Sequence, residues 1–454
     1  MPCPTLPVEV LEHIVKDLAC NDPKRVKNCA LTCWALLGIC RKYLFAKVLI
    51  VISAQSLARR EEGIFALLRK SPEIAGYTRY LHIRIANDGE RNWVTPPELK
   101  LFSKLRTYEI SFDPYPPNHS SFRSRYPHSD DAFLNCTETL VPTLRKLLFR
   151  PIRTLVVLKL DRMTNFPFCD VLRNFPNVRT LMLTNMEVNK VVEADSEIAT
   201  VTDSRPTQAL PGLNPIKLRT LHSDCWGSFE ATRALTIKKL LDLRQPNGQA
   251  IFDFSRLKIL HIRESDVEET GLAIALPKLL LQTHQLTKFI LDHQAAENIT
   301  LSGVGQALVA SRMTLKTLRI KSSMDDFDDD PLHGLPDELA IFGAQLNVLE
   351  SLSLEINMTS GCSTGNEWGE LDEVLDTLSW PKLKSVSIVL KPRLTEPDME
   401  FSRSDSYEDG DMVPEDTDFD YDLKALRTLQ FPELLRKSKK SDFRFQFKVL
   451  WESY

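Results

Sequence analysis

The chain has 454 residues, 43% hydrophobic and 26% charged, with a formal net charge of −4. That is globular composition, which excludes a wholly disordered or collagen-like polypeptide, and its near balance gives no electrostatic reason to expect nucleic acid or an anionic membrane as partner. The start, Met1 to Pro7, lacks the basic and apolar regions of a secretory leader, and no apolar run approaches the ~20 residues that span a bilayer. The nine cysteines include no CxxC pair and read as reduced thiols of a cytoplasmic or nuclear protein. The sequons at Asn118, Asn135, Asn298 and Asn357 are then chance matches.

In chain order, Leu6-Pro7 precedes Val8 to Leu18, where Val10, Leu11, Ile14 and Leu18 recur at helical spacing. Asn21-Asp22-Pro23 is a second start signal, with Asp22 as cap and Pro23 in the first turn. Val26, Ala30, Cys33 and Leu37 follow as one stripe, and Arg41 to Phe45 close the segment before the β-branched run Val48 to Ile52. So short a helical unit cannot bury its own apolar surface, so its stripes must face the remaining chain or another protein.

Leu6 to Ile14, Ala30-Leu31-Thr32-Cys33-Trp34 and Tyr43-Leu44-Phe45 together resemble an F-box. Cys29 to Leu36 and the ending Arg41 to Phe45 look like the variant common in basidiomycete fungi. The family usually carries its tryptophan two or three residues after the second cysteine; here Trp34 follows Cys33 directly, and Leu36 or Leu37 occupies the usual place. The resemblance implies docking onto Skp1 through Leu6, Pro7, Val10, Leu11, Ile14, Leu18, Val26, Leu31 and Trp34, and through Skp1 a link to a cullin–RING ubiquitin ligase. The other reading is a helical cap protecting the end of a repeat array.

Downstream, apolar–x–x–apolar–x–apolar recurs as Leu105/Tyr108/Ile110, Leu155/Leu158/Leu160, Val178/Leu181/Leu183, Leu257/Leu260/Ile262, Leu286/Phe289/Leu291, Leu315/Leu318/Ile320, Leu349/Leu352/Leu354 and Leu383/Val386/Ile388. Leu218/Leu221/Ser223 is a weaker copy and Leu81/Ile83 an earlier one. From Leu257 onward the spacing is 29, 29, 34 and 34 residues. These fragments look like the strand part of leucine-rich repeats, each a short strand with a return helix, and imply an irregular array of about eight to eleven units. Returns are expected at 170–175, 271–282 and 371–378, and Asn185 and Asn357 match the family's asparagine landmark. Ile64 to Pro72 predicts a helix stopped by Ser-Pro, with a strand to follow, as fungal F-box proteins commonly show between box and array.

Polar stretches interrupt the pattern at 113–131 and 193–215, and Asp325 to Asp330 predicts a loop tip. Residues 396–422 hold twelve acidic side chains and one basic, Arg403, and read as an unfolded linker, a docking segment for a basic partner, or, with unsuitable spacing, a divalent-ion site. Arg436 to Lys440 reads as a solvated turn or an import signal, and Asp442 to Val449 alternates as a terminal strand capping the open edge.

Little enzyme chemistry is encoded. Gly361-Cys362-Ser363-Thr364-Gly365 matches the nucleophile-elbow pattern, but the last histidine is His333, so no general base follows Ser363. Cys20, Cys29, Cys33 and Cys40 lack knuckle spacing for zinc and read as a buried thiol stripe; His13 reads as an exposed or partner-facing side chain. The expectation is therefore an α/β, non-enzymatic chain without cofactor or metal: an F-box-like module over 1–50, a helical linker over 51–100, irregular leucine-rich repeats over 101–395, the acidic insertion over 396–422 and a cap over 423–454. It would be the substrate receptor of an Skp1–cullin–F-box ligase, holding an unknown protein client. The competing expectation is a leucine-rich scaffold with no ubiquitin role.

Overall fold

The structure, a computed structural model, describes residues 6–52, 63–86, 96–113, 134–136, 140, 142–187, 214–225, 235–245, 247–264, 272–293, 304–324, 334–359, 367–377, 380–393, 431–440 and 442–450. The acidic stretch 396–422, Ser363 and its glycines, the loop 325–330 and nearly all of the two polar stretches lie outside the described residues. The chain is mixed α/β and divides into two compact units, whose boundary falls inside the 101–395 segment, near Leu218.

The first unit opens with three helices, α1 (Val8–Asn21), α2 (Pro23–Ala30) and α3 (Trp34–Leu44). The Pro7 carbonyl accepts from the Val10 and Leu11 amides, starting α1. Asp22 accepts from the Lys24 amide at 3.0 Å with Pro23 in the first turn, as its sequence signal requires. The single stripe expected over Val26 to Leu37 is instead broken. Thr32 bonds back to the Cys29 carbonyl through both its amide and its hydroxyl, and extended Cys33 caps α3, so Val26 and Leu37 lie on different helices.

Strands β1 (Lys47–Ile52), β2 (Tyr80–Ala86), β3 (Thr107–Asp113), β4 (Val157–Asp161) and β5 (Thr180–Thr184) follow, all parallel and adjacent in chain order. Between β1 and β2 run α4 (Ile64–Lys70) and a 3-10 turn, Pro72–Tyr77, which carries the Ser-Pro stop on into a second short coil. Further helices are α5 (Pro142–Leu148) and α6 (Phe168–Leu172).

The second unit repeats the arrangement with β6 (Thr220–Asp224), β7 (Ile259–Glu264), β8 (Lys288–His293), β9 (Thr317–Met324), β10 (Ser351–Thr359), β11 (Ser385–Arg393) and β12 (Arg444–Val449), again parallel and in chain order. Its helices are α7 (Ile237–Asp242), α8 (Leu272–Gln282), α9 (Val304–Val309), α10 (Leu335–Phe342), α11 (Glu367–Thr377) and α12 (Pro432–Lys440). The returns expected near 170, 271 and 371 coincide with α6, α8 and α11. Arg436 to Lys440, expected as a turn, is the last part of α12, because the Asp372 carboxylate accepts the Glu433 and Leu434 amides and holds that helix's first turn.

Alternation explains the sheet. In a strand every second side chain shares a face, and the parallel register stacks equivalent positions. Leu221, Leu260, Phe289, Leu318, Leu352, Val386 and Phe445 form one buried row across seven strands. In the first unit Val48, Leu81, Tyr108, Leu158 and Leu181 do the same. For several members of these rows the residue three before is buried as well, as at Leu105, Leu155, Leu257, Leu286, Leu315 and Leu349. A carbonyl just ahead of several strands also accepts two amides of the next: Lys258 takes Thr287 and Lys288 at 2.9 and 3.0 Å, and Lys316 takes Glu350 and Ser351 at 2.8 and 3.0 Å.

Leu318 lies inside this row with no exposure. Leu318→Ala is expected to lower stability by about 2–5 kcal/mol, the usual cost of a large-to-small change in a packed core, read from denaturant unfolding.

Candidate protein-docking surfaces

Two surfaces offer chemistry for holding other proteins. The first is on the three helices. Val15, Val26, Ile39 and Cys40 make their private core, and Leu11, Leu18, Ala19, Cys29, Ala30, Leu36, Tyr43 and Leu44 pack against it half-buried. Lys42 Nζ meets Glu12 Oε1 at 2.5 Å, tying α3 to α1, and that hydrogen bond raises the Lys42 pKa. The helices are thus satisfied internally, yet Leu6, Val8, Val10, Ile14, Leu31 and Trp34 remain outside, with exposures from 41% at Val10 to 88% at Trp34. Pro7 is exposed too. Val10 and Ile14 stand one turn apart on α1, while Leu31 and Trp34 flank the α2–α3 turn.

Of the nine residues proposed from sequence for docking, Leu6, Pro7, Val10, Ile14, Leu31 and Trp34 lie at the surface. Val26 does not: it is 1% exposed inside the helical core and presents nothing to a partner. Leu11 and Leu18 turn mainly toward that core. The error has a physical origin, since i, i+3, i+4 spacing identifies an apolar face but not what covers it. Val8 was missed and is among the most exposed apolar side chains of α1. His13 is exposed, its Nδ1 2.9 Å from the Glu9 carbonyl.

The expected thiol stripe is not uniformly buried. Cys40 is buried and Cys29 half-buried, but Cys20 and Cys33 are exposed, because Cys33 left the helix to cap α3. Burial, then the neighbouring Cys29 and Cys33, raises the Cys40 pKa, and burial pushes Cys136 to about 12. Among the described residues no group of three or more His, Cys, Asp or Glu could hold a metal ion, and no helix is long and apolar enough to cross a membrane.

The second surface is the polar face of the strands. In the second unit, one register row reads Asp224, Arg263, Asp292, Lys321, Glu355 across β6 to β10. The signs alternate, and successive partners approach at 3.5, 3.6, 3.5 and 3.8 Å. Lys391 reaches Glu355 at 2.8 Å, and Arg319 also contacts it. Burial opposes ionisation of Glu355, but hydrogen bonds from Lys391 and Arg319 outweigh it, so its pKa is lowered. Next to this row His222 and His261 meet ring to ring at 4.0 Å. Burial first, then His222 and the cations around it, lowers His261 to about 4.

The first unit has a smaller cluster. Glu109 accepts from the Tyr80 hydroxyl and lies 3.2 Å from Lys159 Nζ, while His82 Nε2 is 2.7 Å from Ser111 Oγ. Burial raises Tyr80 to about 12, aided by the Glu109 hydrogen bond. These groups cross-link neighbouring strands and neutralise one another, a structural use of ionisable residues. Sequence reading left them as unassigned x positions of the repeats, since pairing needs the register.

No family model matches the chain, and no curated protein matches it.

Two measurements check this geometry. Among the described cysteines, iodoacetamide at pH 8 is expected to modify Cys20 and Cys33 first, and Cys40, Cys136 and Cys225 only after unfolding, as read by peptide mapping. Stability is expected to fall with acid. His261 has a folded pKa below its ordinary 6.5, so the unfolded chain binds the extra proton and stability declines as pH drops from 6.5 toward 4. Glu355, also lowered, extends that decline below 4.5. His261→Gln should flatten the upper part of this profile in urea midpoints taken from pH 7.5 to 4.

Proposed function

We propose that the chain is the substrate-receptor subunit of an Skp1–cullin–F-box ubiquitin ligase, an adaptor that catalyses nothing itself. Its three N-terminal helices would form the F-box, docking Skp1, and the strand arrays would be irregular leucine-rich repeats that hold a protein client in the cytoplasm or nucleus. The observation that carries this reading is the exposure of Leu6, Pro7, Val8, Val10, Ile14, Leu31 and Trp34 on helices whose interior is already filled by Val15, Val26, Ile39 and Cys40. Exposed aliphatic and aromatic side chains cost solvation free energy of about 25 cal/mol per Å² of apolar surface, so a cluster that survives folding suits a partner's surface. An exposed Trp of this kind anchors interfaces, and a stable pairing would bury about 1,600 Å² in total.

The polar strand faces support the receptor half of the reading. Inward leucines are committed to packing, so a client would meet the x positions, among them His222, Arg319 and the charge row. Holding a client beside a ubiquitin-charged enzyme acts by effective concentration and needs no catalytic group on the receptor.

A second reading, a leucine-rich scaffold capped by these helices, is favoured by one observation. Strand β1 starts three residues after α3 and pairs with β2, and Arg41 of α3 lies 3.8 Å from Glu73, so the helices join directly onto the first strands.

Co-purification with Skp1 separates the two. The full chain is expected to retain Skp1 and, through it, cullin; absence of binding at micromolar concentration defeats the ligase reading. Trp34→Ala and the double change Leu6→Ala, Pro7→Ala are each expected to weaken binding by about tenfold or more, with unfolding midpoints unchanged because these side chains lie outside the core. Undiminished binding by both would show that the partner sits elsewhere.

A further inference from the structure

An open cavity of about 610 Å³ lies in the first unit between α5, the segment Phe149–Pro151 and the start of α6. Its size is within the ~300–1,000 Å³ usual for small-molecule sites. Its apolar wall is built of Leu140, Phe149 and Val171, all buried, with Pro142, Pro151 and Pro167 at its margins. The wall is braced from behind: Phe149 packs edge-on against Phe166 at 5.4 Å, and Phe166 against Phe168 at 4.8 Å. Asn174 ties the two sides together, donating its amide to the Phe149 carbonyl at 2.6 Å while its backbone carbonyl accepts the Ile152 amide at 3.0 Å.

Three cations face this apolar wall, Arg145, Lys146 and Arg150. Arg150 is half-buried and donates only to backbone carbonyls, those of Lys100 (2.9 Å) and Phe102. Burial lowers its pKa, the mark of a guanidinium short of both water and counter-charge. On the strands, by contrast, Lys159 has the carboxylate of Glu109, Arg263 has those of Asp224 and Asp292, and Lys391 has that of Glu355. Among the described residues, Arg145, Lys146 and Arg150 have none. Uncompensated charge in an apolar recess is costly, and an anion entering the recess removes that cost.

We propose that this cavity binds a small amphiphilic carboxylate, its charged head held by Arg145, Lys146 and Arg150 and its aliphatic body laid on Leu140, Phe149 and Val171. Asp170 sets the charge limit. Its carboxylate, also without a cation partner among the described residues, repels a second negative group and so disfavours polyanions such as polyphosphates. The Asn174 side-chain oxygen, unused by its own hydrogen bonds, offers an acceptor to a hydroxyl on the ligand. The site is separate from the exposed residues of α1 to α3 and stands whether or not those helices dock Skp1.

The test uses a diazirine-bearing dodecanoate on the full chain, below its micellar concentration, with peptide mapping of the photoadducts. Adducts are expected within residues 140–174, displaced by excess dodecanoate but not by dodecanol or by inorganic triphosphate. The double variant Arg145→Glu, Lys146→Glu alters side chains outside the core and is expected to keep its circular dichroism and to lose the adduct by about tenfold or more, as for a charge-assisted contact. Adducts falling instead on residues 6–44, spread evenly, equally displaced by dodecanol, displaced by triphosphate, or unaffected by the charge reversal would each overturn the proposal.

Discussion

Stacking of alternate side chains in a parallel register is the constraint on which the described structure rests. One strand of five or six residues buries two or three apolar side chains on one face, too little to hold itself. Seven such strands in register turn isolated side chains into the continuous row from Leu221 to Phe445. Each inner member of the row is held by neighbours on two adjacent strands, so removal of one leaves a cavity that its neighbours cannot close. Ser223 stands in the second row where Ile262, Leu291 and Ile320 follow, and its hydroxyl meets Cys225 Sγ at 3.8 Å.

The same register that hides apolar groups on one face assembles charge on the other. Asp224, Arg263, Asp292, Lys321 and Glu355 are 29 to 39 residues apart in sequence yet consecutive in space. Alternation of sign lets each inner member of the row contact two opposite charges, which lessens the penalty of placing ions where water is scarce. The strand face is consequently polar but locally neutral, a surface suited to directional hydrogen bonding with a protein more than to long-range electrostatic capture. The cavity by α5 is the contrast: among the described residues its cations Arg145, Lys146 and Arg150 form no ion pair.

The three N-terminal helices obey a different logic. Their core is small, and they satisfy it with Val15, Val26, Ile39 and Cys40 while leaving Trp34 and Leu31 almost fully in water. Burial of Val26 and exposure of Trp34 come from one event, the break at Cys33, which turns α3 away from the line of α2. An exposed apolar surface and a folding core therefore sit within a few residues of each other, and the chain's turn chemistry divides them.

By itself the sequence determined the local elements. The Asp22-Pro23 start, the Ser71-Pro72 stop and the apolar–x–x–apolar–x–apolar strands are set by backbone sterics, capping and period-two alternation, all of which act over a few residues. Every repeat fragment read from Leu105 to Ile388 coincides with a strand for that reason. Only the tertiary structure decided which face of a helix is covered, as with Val26 against Val10, which distant charges meet, as with Arg263 and Asp292, and which cations bond backbone carbonyls with no carboxylate among the described residues, as with Arg150. Those outcomes depend on contacts between residues far apart in the chain, and neither composition nor spacing carries that information.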